Sequence, residues 1–224
     1  MFWTSPIAPF LIVLLIPLAY SLKNRRKNLK PILAIIICSL TMVVFYPLIY
    51  YLSQAIPLFG YTIGKFILFV FLPIIIIFYV ERWKLKAILS NLGIRKENLR
   101  KSMVYGVLAG VITIIITVFL ISTTSIDLPY RIIMFFEAFT EEFFFRGFLF
   151  IYLLAKTERK IAYVTSILGF VLIHPQHFLS PFLISTITQG ILLTMVTDKT
   201  KNIIGAWVGH GLNRVFPVLI RSFI

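Results

Sequence analysis

The sequence predicts an all-α, polytopic membrane protein with about eight transmembrane helices enclosing a polar intramembrane cavity. Three observations carry this. The hydrophobic fraction is 59% and the charged fraction only 13%, against roughly 45–50% and 25% in soluble domains. Apolar runs long enough, or nearly so, to cross a hydrocarbon core of about 30 Å fall near residues 4–22, 31–52, 62–80, 103–122, 131–155, 161–178, 181–196 and 203–222. The connectors between them alternate in charge: 23–30 carries five Lys or Arg, 81–102 seven, 156–160 three and 197–202 two, while the intervening connectors hold only Lys65 and Arg131.

Taken in order, the first run, Met1 to Leu22, has no basic residue before it and five after it, Lys23, Arg25, Arg26, Lys27 and Lys30. That is the reverse of a cleavable signal peptide, so a retained first span is expected. The positive-inside rule then sets the basic connectors in the cytoplasm and both termini on the far side, which requires an even number of spans. The segment from Glu81 to Ser102 mixes apolar and basic residues at helical spacing, as a helix lying on an anionic leaflet would, or forms a solvated loop. No repeat or linker divides the chain, and residues 1–224 are read as a single transmembrane domain. The net charge of +14 does not indicate nucleic acid, because its cations lie between apolar blocks and not on one polar face. The single cysteine, Cys38, sits within an apolar run and supports neither a disulfide framework nor a cysteine metal site.

An ionised side chain inside a span costs at least about 2.5–3.5 kcal/mol and asks for a reason. The fifth run holds Glu137, Glu141, Glu142 and Arg146 within ten positions. Glu142 and Arg146, four apart, share a helix face and are expected to pair structurally. Glu141 points about 100° away and stacks with Glu137, so it needs a partner from another span or must titrate. The sixth run ends in GFVLIHPQHF: Pro175 is expected to loosen the helix at His174 and leave His177 near the membrane face. The eighth carries His210 and Asn213 on one face, with Gly205, Gly209 and Gly211 permitting close helix approach. If these helices meet, one pocket holds two imidazoles, an amide and a carboxylate. Such a pocket suits two chemistries: a zinc-bound water, or direct water activation by Glu141 and His174 with His210 and Asn213 steadying an oxyanion. The helical His-Glu-x-x-His zinc motif is absent. Phe143, Phe144 and Phe145 are read as packing.

The run Glu141-Glu142-Phe-Phe-Phe-Arg146-Gly147, then Phe170-x-x-x-His174, then His210 with Asn213 resembles the CPBP family of intramembrane proteases. That family includes the type II CAAX prenyl proteases and the bacteriocin self-immunity (Abi) proteins. The resemblance covers about residues 81–224; the first three spans match only as apolar helices. It implies an eight-helix intramembrane peptidase whose polar cavity opens to the cytoplasmic side, acting on a peptide or lipidated, CAAX-type protein substrate in the bilayer. It further implies Glu141 as the base, His174 as its partner, His210 and Asn213 as oxyanion stabilisers, and Glu142 and Arg146 as supports of the site. The family commonly spaces its last pair as His-x-x-x-Asn, whereas this chain has His-x-x-Asn. It has been described both as zinc-dependent and as glutamate-based without metal. The metal-free reading is favoured here; a zinc reading would use Glu141, His174 and His210. An integral membrane protein is expected, in the plasma membrane if the host is prokaryotic. The rival readings are a non-catalytic immunity or scaffold protein, and a proton-coupled transporter.

Overall fold

The computed structural model describes residues 5–24, 28–121 and 127–223, and among them the chain is helical, with no strand. Met1–Thr4, Arg25, Arg26, Lys27, residues 122–126 and Ile224 lie outside the described residues; parts of the first basic connector and the ends of the first and fourth predicted spans fall there.

The helices follow the predicted apolar runs, several in pieces. A 3₁₀ turn, Ala8–Leu14, leads into α1 (Leu15–Asn24). The second run is α2 (Leu29–Phe45) and α3 (Pro47–Ala55), bent by 46° where Pro47 brings no backbone N–H to the ladder. The third is α4 (Gly60–Phe66), a π-helical stretch Ile67–Phe71 and α5 (Leu72–Glu81). Of the segment from Glu81 to Ser102, only α6 (Leu85–Asn91) is a separate short helix, and α7 (Leu99–Val118) begins before it ends. The fifth run comprises α8 (Leu128–Glu142) and a ten-residue π-helical stretch, Phe143–Tyr152. The Asp127 side chain caps α8 by accepting from the Tyr130 N–H at 3.0 Å. Then come α9 (Arg159–Leu172), α10 (Phe182–Thr200) and α11 (Ile204–Arg221). By length and composition, Gly60–Glu81 and Leu99–Val118 are long and apolar enough to cross a membrane, and the bent α2–α3 pair makes a third if it is one span.

The core is aromatic on one side and glycine-lined on the other. Phe144 and Phe145, fully buried, meet Phe10 and each other edge-on at centroid distances of 5.1–6.0 Å, which confirms the packing role expected of the phenylalanine run. Opposite, α7 and α11 touch backbone to backbone. A Cβ on Gly106 would stand 1.9 Å from the Gly205 carbonyl oxygen, and one on Gly205 would stand 1.8 Å from that of Ser102. Gly106 and Gly110 on α7 thus face Gly205 and Gly209 on α11 as two small-x-x-x-small ridges. Ser102 fastens the crossing, donating from Oγ to the Asn202 carbonyl at 3.1 Å and accepting from the Gly205 N–H at 2.9 Å.

The basic connectors gather at one end. Asn28 Nδ2 donates to the Lys156 carbonyl (2.6 Å), Lys156 Nζ pairs with Glu81 (2.8 Å), Asn202 Nδ2 donates to the Arg95 carbonyl (2.7 Å), and Arg159 pairs with Asp198. These links join all four basic connectors of the sequence.

Gly205→Val cannot be accommodated without moving α7 away from α11, and overpacking of this kind costs about 1–3 kcal/mol or more. Its melting temperature in detergent is expected to fall clearly below wild type. Gly190→Ala, whose added carbon meets its nearest neighbour at 3.4 Å, should stay close to wild type.

Candidate active site

The polar side chains singled out in the sequence converge where α4, α8, α11 and the end of α9 meet. Glu137, Glu141 and Glu142 lie in the last turns of α8, all buried. The helix then widens into its π-helical stretch, a form that recurs at functional sites, and carries Arg146 at 0% exposure. Glu142 Oε2 pairs with Arg146 Nε at 3.2 Å, as the four-residue spacing predicts. Arg146 also spreads its guanidinium 4.3 Å from the centroid of the Phe170 ring, and Nη2 reaches the Gly190 carbonyl at 3.4 Å, tying α8's continuation to α9 and α10.

Glu141 finds its partners on two other helices. Its Oε1 pairs with Lys65 Nζ from α4 and accepts from Arg214 Nη2 of α11 at 2.9 Å. Lys65, 2% exposed, also pairs with Glu137. Neither cation was assigned to the site from the sequence. In the sequence Lys65 reads as a connector charge, although it stands inside the apolar run 62–80, and an intramembrane lysine asks for a partner just as a glutamate does. Arg214 follows Asn213 and lies four residues after His210, one turn further along the same face.

The hydrogen bonds identify the imidazole tautomers. His174 follows the end of α9 with backbone angles of φ −113° and ψ 58°, the break Pro175 predicted, and its Nδ1 lies 2.8 Å from the Phe170 carbonyl, which can only accept. Neutral His174 therefore carries its proton on Nδ1 and turns an Nε2 lone pair toward Glu141 Oε2, 3.5 Å away. His210 Nδ1 donates to Glu142 Oε1 (2.7 Å), and its Nε2 accepts from Arg214 Nε (3.1 Å). Glu142 thus holds one imidazole as well as Arg146. Glu141 Oε2 has no hydrogen-bond partner and faces Nε2 of His174 at 3.5 Å and of His210 at 3.9 Å.

Two cavities adjoin this centre, with His174, Gln176 and Arg214 lining both. The smaller, about 90 Å³, contains Lys65 and Glu141 among its lining residues. The larger, about 300 Å³, is lined by His210, Asn213, Arg131 and Gln189, and by His177, which lies beside His174 with ring planes 13° apart. His177, expected near the membrane face, is half-buried in this wall, its Nδ1 2.6 Å from Thr186 Oγ1. Asn213 Oδ1 is buried without a partner.

Of the three residues a zinc reading would use, Glu141 and His210 already carry cationic partners. Glu141 Oε1 is held by Lys65 and Arg214, and His210 Nε2 is occupied by Arg214. Among the described residues no group of three or more His, Cys, Asp or Glu is arranged to hold a metal ion.

Residues 128–216 match the family described as type II CAAX prenyl endopeptidase Rce1-like. This stretch begins with α8, ends within α11, and contains every residue of the centre except Lys65. No curated protein and no solved structure matches the chain significantly.

Lys65→Met would leave Glu137 and Glu141 with Arg214 alone, and removing one member of a buried ion pair costs about 3–5 kcal/mol. A lowered melting temperature in detergent is expected. Adding Glu137→Gln, which removes one of the two carboxylates left short of a cation, should recover part of the loss; a double variant less stable than Lys65→Met would contradict the pairing.

Proposed function

We propose that this chain, a member of the CPBP/CAAX protease family by its residues 128–216, is an intramembrane endopeptidase of about eight transmembrane helices in which Glu141 and His174 activate water. The observation that carries the reading is the unpartnered Glu141 Oε2 facing the Nε2 lone pair of His174 at 3.5 Å. Two acceptors turned toward each other call for a donor between them, and a water molecule supplies a proton to each. In the reaction this water's oxygen attacks the scissile carbonyl carbon. Its proton passes to Glu141 and then to the leaving amine as the C–N bond breaks.

Glu141 then performs two tasks with its two oxygens. Oε1 is anchored by Lys65 and Arg214, and Oε2 is left free to take the proton. His210, read from the sequence as an oxyanion donor, has its Nε2 engaged as an acceptor, so donation toward the developing oxyanion falls to the Arg214 guanidinium, with the Asn213 amide in the adjoining wall. Glu142 holds His210, and Arg146 holds Glu142. The substrate is a peptide or lipidated protein in the membrane; a prenylated CAAX tail is the finer reading drawn from the family.

Glu141→Gln keeps the shape but removes the base, and should lower turnover by roughly 10²–10⁴-fold while substrate still binds. Arg214→Gln should lower it by about 10²–10³-fold with the protein folded. Both are read by mass spectrometry of products from a farnesylated CAAX peptide and a mixed peptide library offered to reconstituted protein. Cleavage should survive strong chelation; activity lost to chelator and restored by zinc would overturn the glutamate mechanism, equal turnover by wild type and Glu141→Gln would overturn Glu141 as the base, and no cleavage by folded wild type would overturn the peptidase reading.

A further inference from the structure

The basic connectors and the larger cavity lie at opposite ends of the same helices. α7 starts from the basic connector 81–102 and ends beside Ile121, a cavity residue. α9 starts from 156–160 and ends two residues before His174. α10 runs from Phe182 at the cavity to the connector 197–202, and α11 returns from that connector past His210 and Arg214 to Val218. The 20 residues of α7 span about 30 Å at 1.5 Å per residue, the thickness of a bilayer core, so the two ends belong to different faces of the membrane.

The charge asymmetry between those ends is large. Seventeen of the 22 Lys and Arg lie in the four basic connectors, whereas Lys65, Arg131, Arg214 and Arg221 lie toward the cavity end. Lys65 and Arg214 are further offset by Glu137 and Glu141. Orientation follows the Lys and Arg of short connectors, which remain on the cytoplasmic side. We infer that the centre around Glu141 opens to the non-cytoplasmic face of the membrane, so that its substrates are membrane-tethered peptides exposed on the outer side and not tails presented in the cytosol. This reverses the cytoplasmic opening that the family resemblance implies. The substrate class rests on the peptidase reading, whereas the orientation stands without it.

Single cysteines report the two faces. Leu179, 103% exposed in the connection between α9 and α10, marks the cavity end; Glu97, exposed in the connector 81–102, marks the basic end. Cys38 is fully buried and serves as a silent background. Intact cells producing Leu179→Cys or Glu97→Cys are treated with a membrane-impermeant maleimide, before and after permeabilisation. Leu179→Cys should label fully in intact cells and Glu97→Cys only after permeabilisation. Labelling of Glu97→Cys in intact cells, or of Leu179→Cys only after permeabilisation, overturns the proposal. If Leu179→Cys does not accumulate, Phe223→Cys, 87% exposed beyond the end of α11, reports the same face. The readout needs no turnover: correct labelling in a protein that cleaves nothing would refute the peptidase reading alone, and cleavage with reversed labelling would refute the orientation alone.

Discussion

The arrangement depends on the neutralisation of a buried carboxylate by cations from two other helices. Desolvating an isolated carboxylate costs far more than a fold's net stability, so Glu141 can be buried only where opposite charge reaches it. Lys65 reaches it from α4 and Arg214 from α11, each also lying near Glu137. Glu142 and Arg146 meet within one helix, and the Glu142 carboxylate extends to His210. The three buried acids of α8 thereby meet three cations, and α4, α8 and α11 are joined by charge at the point where two imidazoles converge.

Packing makes this convergence geometrically possible. The glycine ridges of α7 and α11 let two backbones touch, which carries His210 and Arg214 in toward α8. The phenylalanine cluster fills the opposite side, and Phe170 serves both packing and site, its ring 4.9 Å from that of His174 and 5.8 Å from that of His210. Several buried hydroxyls are satisfied locally: Thr194 and Thr200 donate to carbonyls four residues earlier at 2.7 and 2.8 Å, a device that spares an apolar environment unpaired groups. Most of the buried charge is concentrated around Glu141.

One oxygen of that carboxylate is immobilised and the other left open, which is what the proposed role of a base that accepts and returns a proton would require. Arg214 connects the two halves of the centre, bonding Glu141 and His210 while lining both cavities. It stands four residues after His210, where the family that the sequence resembles commonly carries asparagine, so the shortened spacing to Asn213 is accompanied by a cation at that position. A guanidinium there donates from several fixed N–H groups and cannot lose its charge, which in the proposed mechanism would shift the stabilising task from a neutral amide to a permanent cation.

The sequence by itself determined the helical class, the apolar runs, the break before Pro175, the Glu142–Arg146 pair and the segregation of basic connectors. All of these are local: they follow from composition, from the 3.6-residue period and from the missing N–H of proline, and neighbours along the chain suffice to read them. It also identified Glu141, His174, His210 and Asn213 as residues needing explanation, because polar groups are costly in an apolar run. Only the tertiary structure decided who answers them. Lys65 lies 76 residues from Glu141 and Arg214 lies 73 residues from it; no periodicity reaches across such separations, and a single buried lysine reads the same whether it faces a glutamate or a loop. The tautomers of His174 and His210 likewise depend on acceptors supplied by the fold, and the opposition of cavity and basic connectors appears only once helix directions are set against one another.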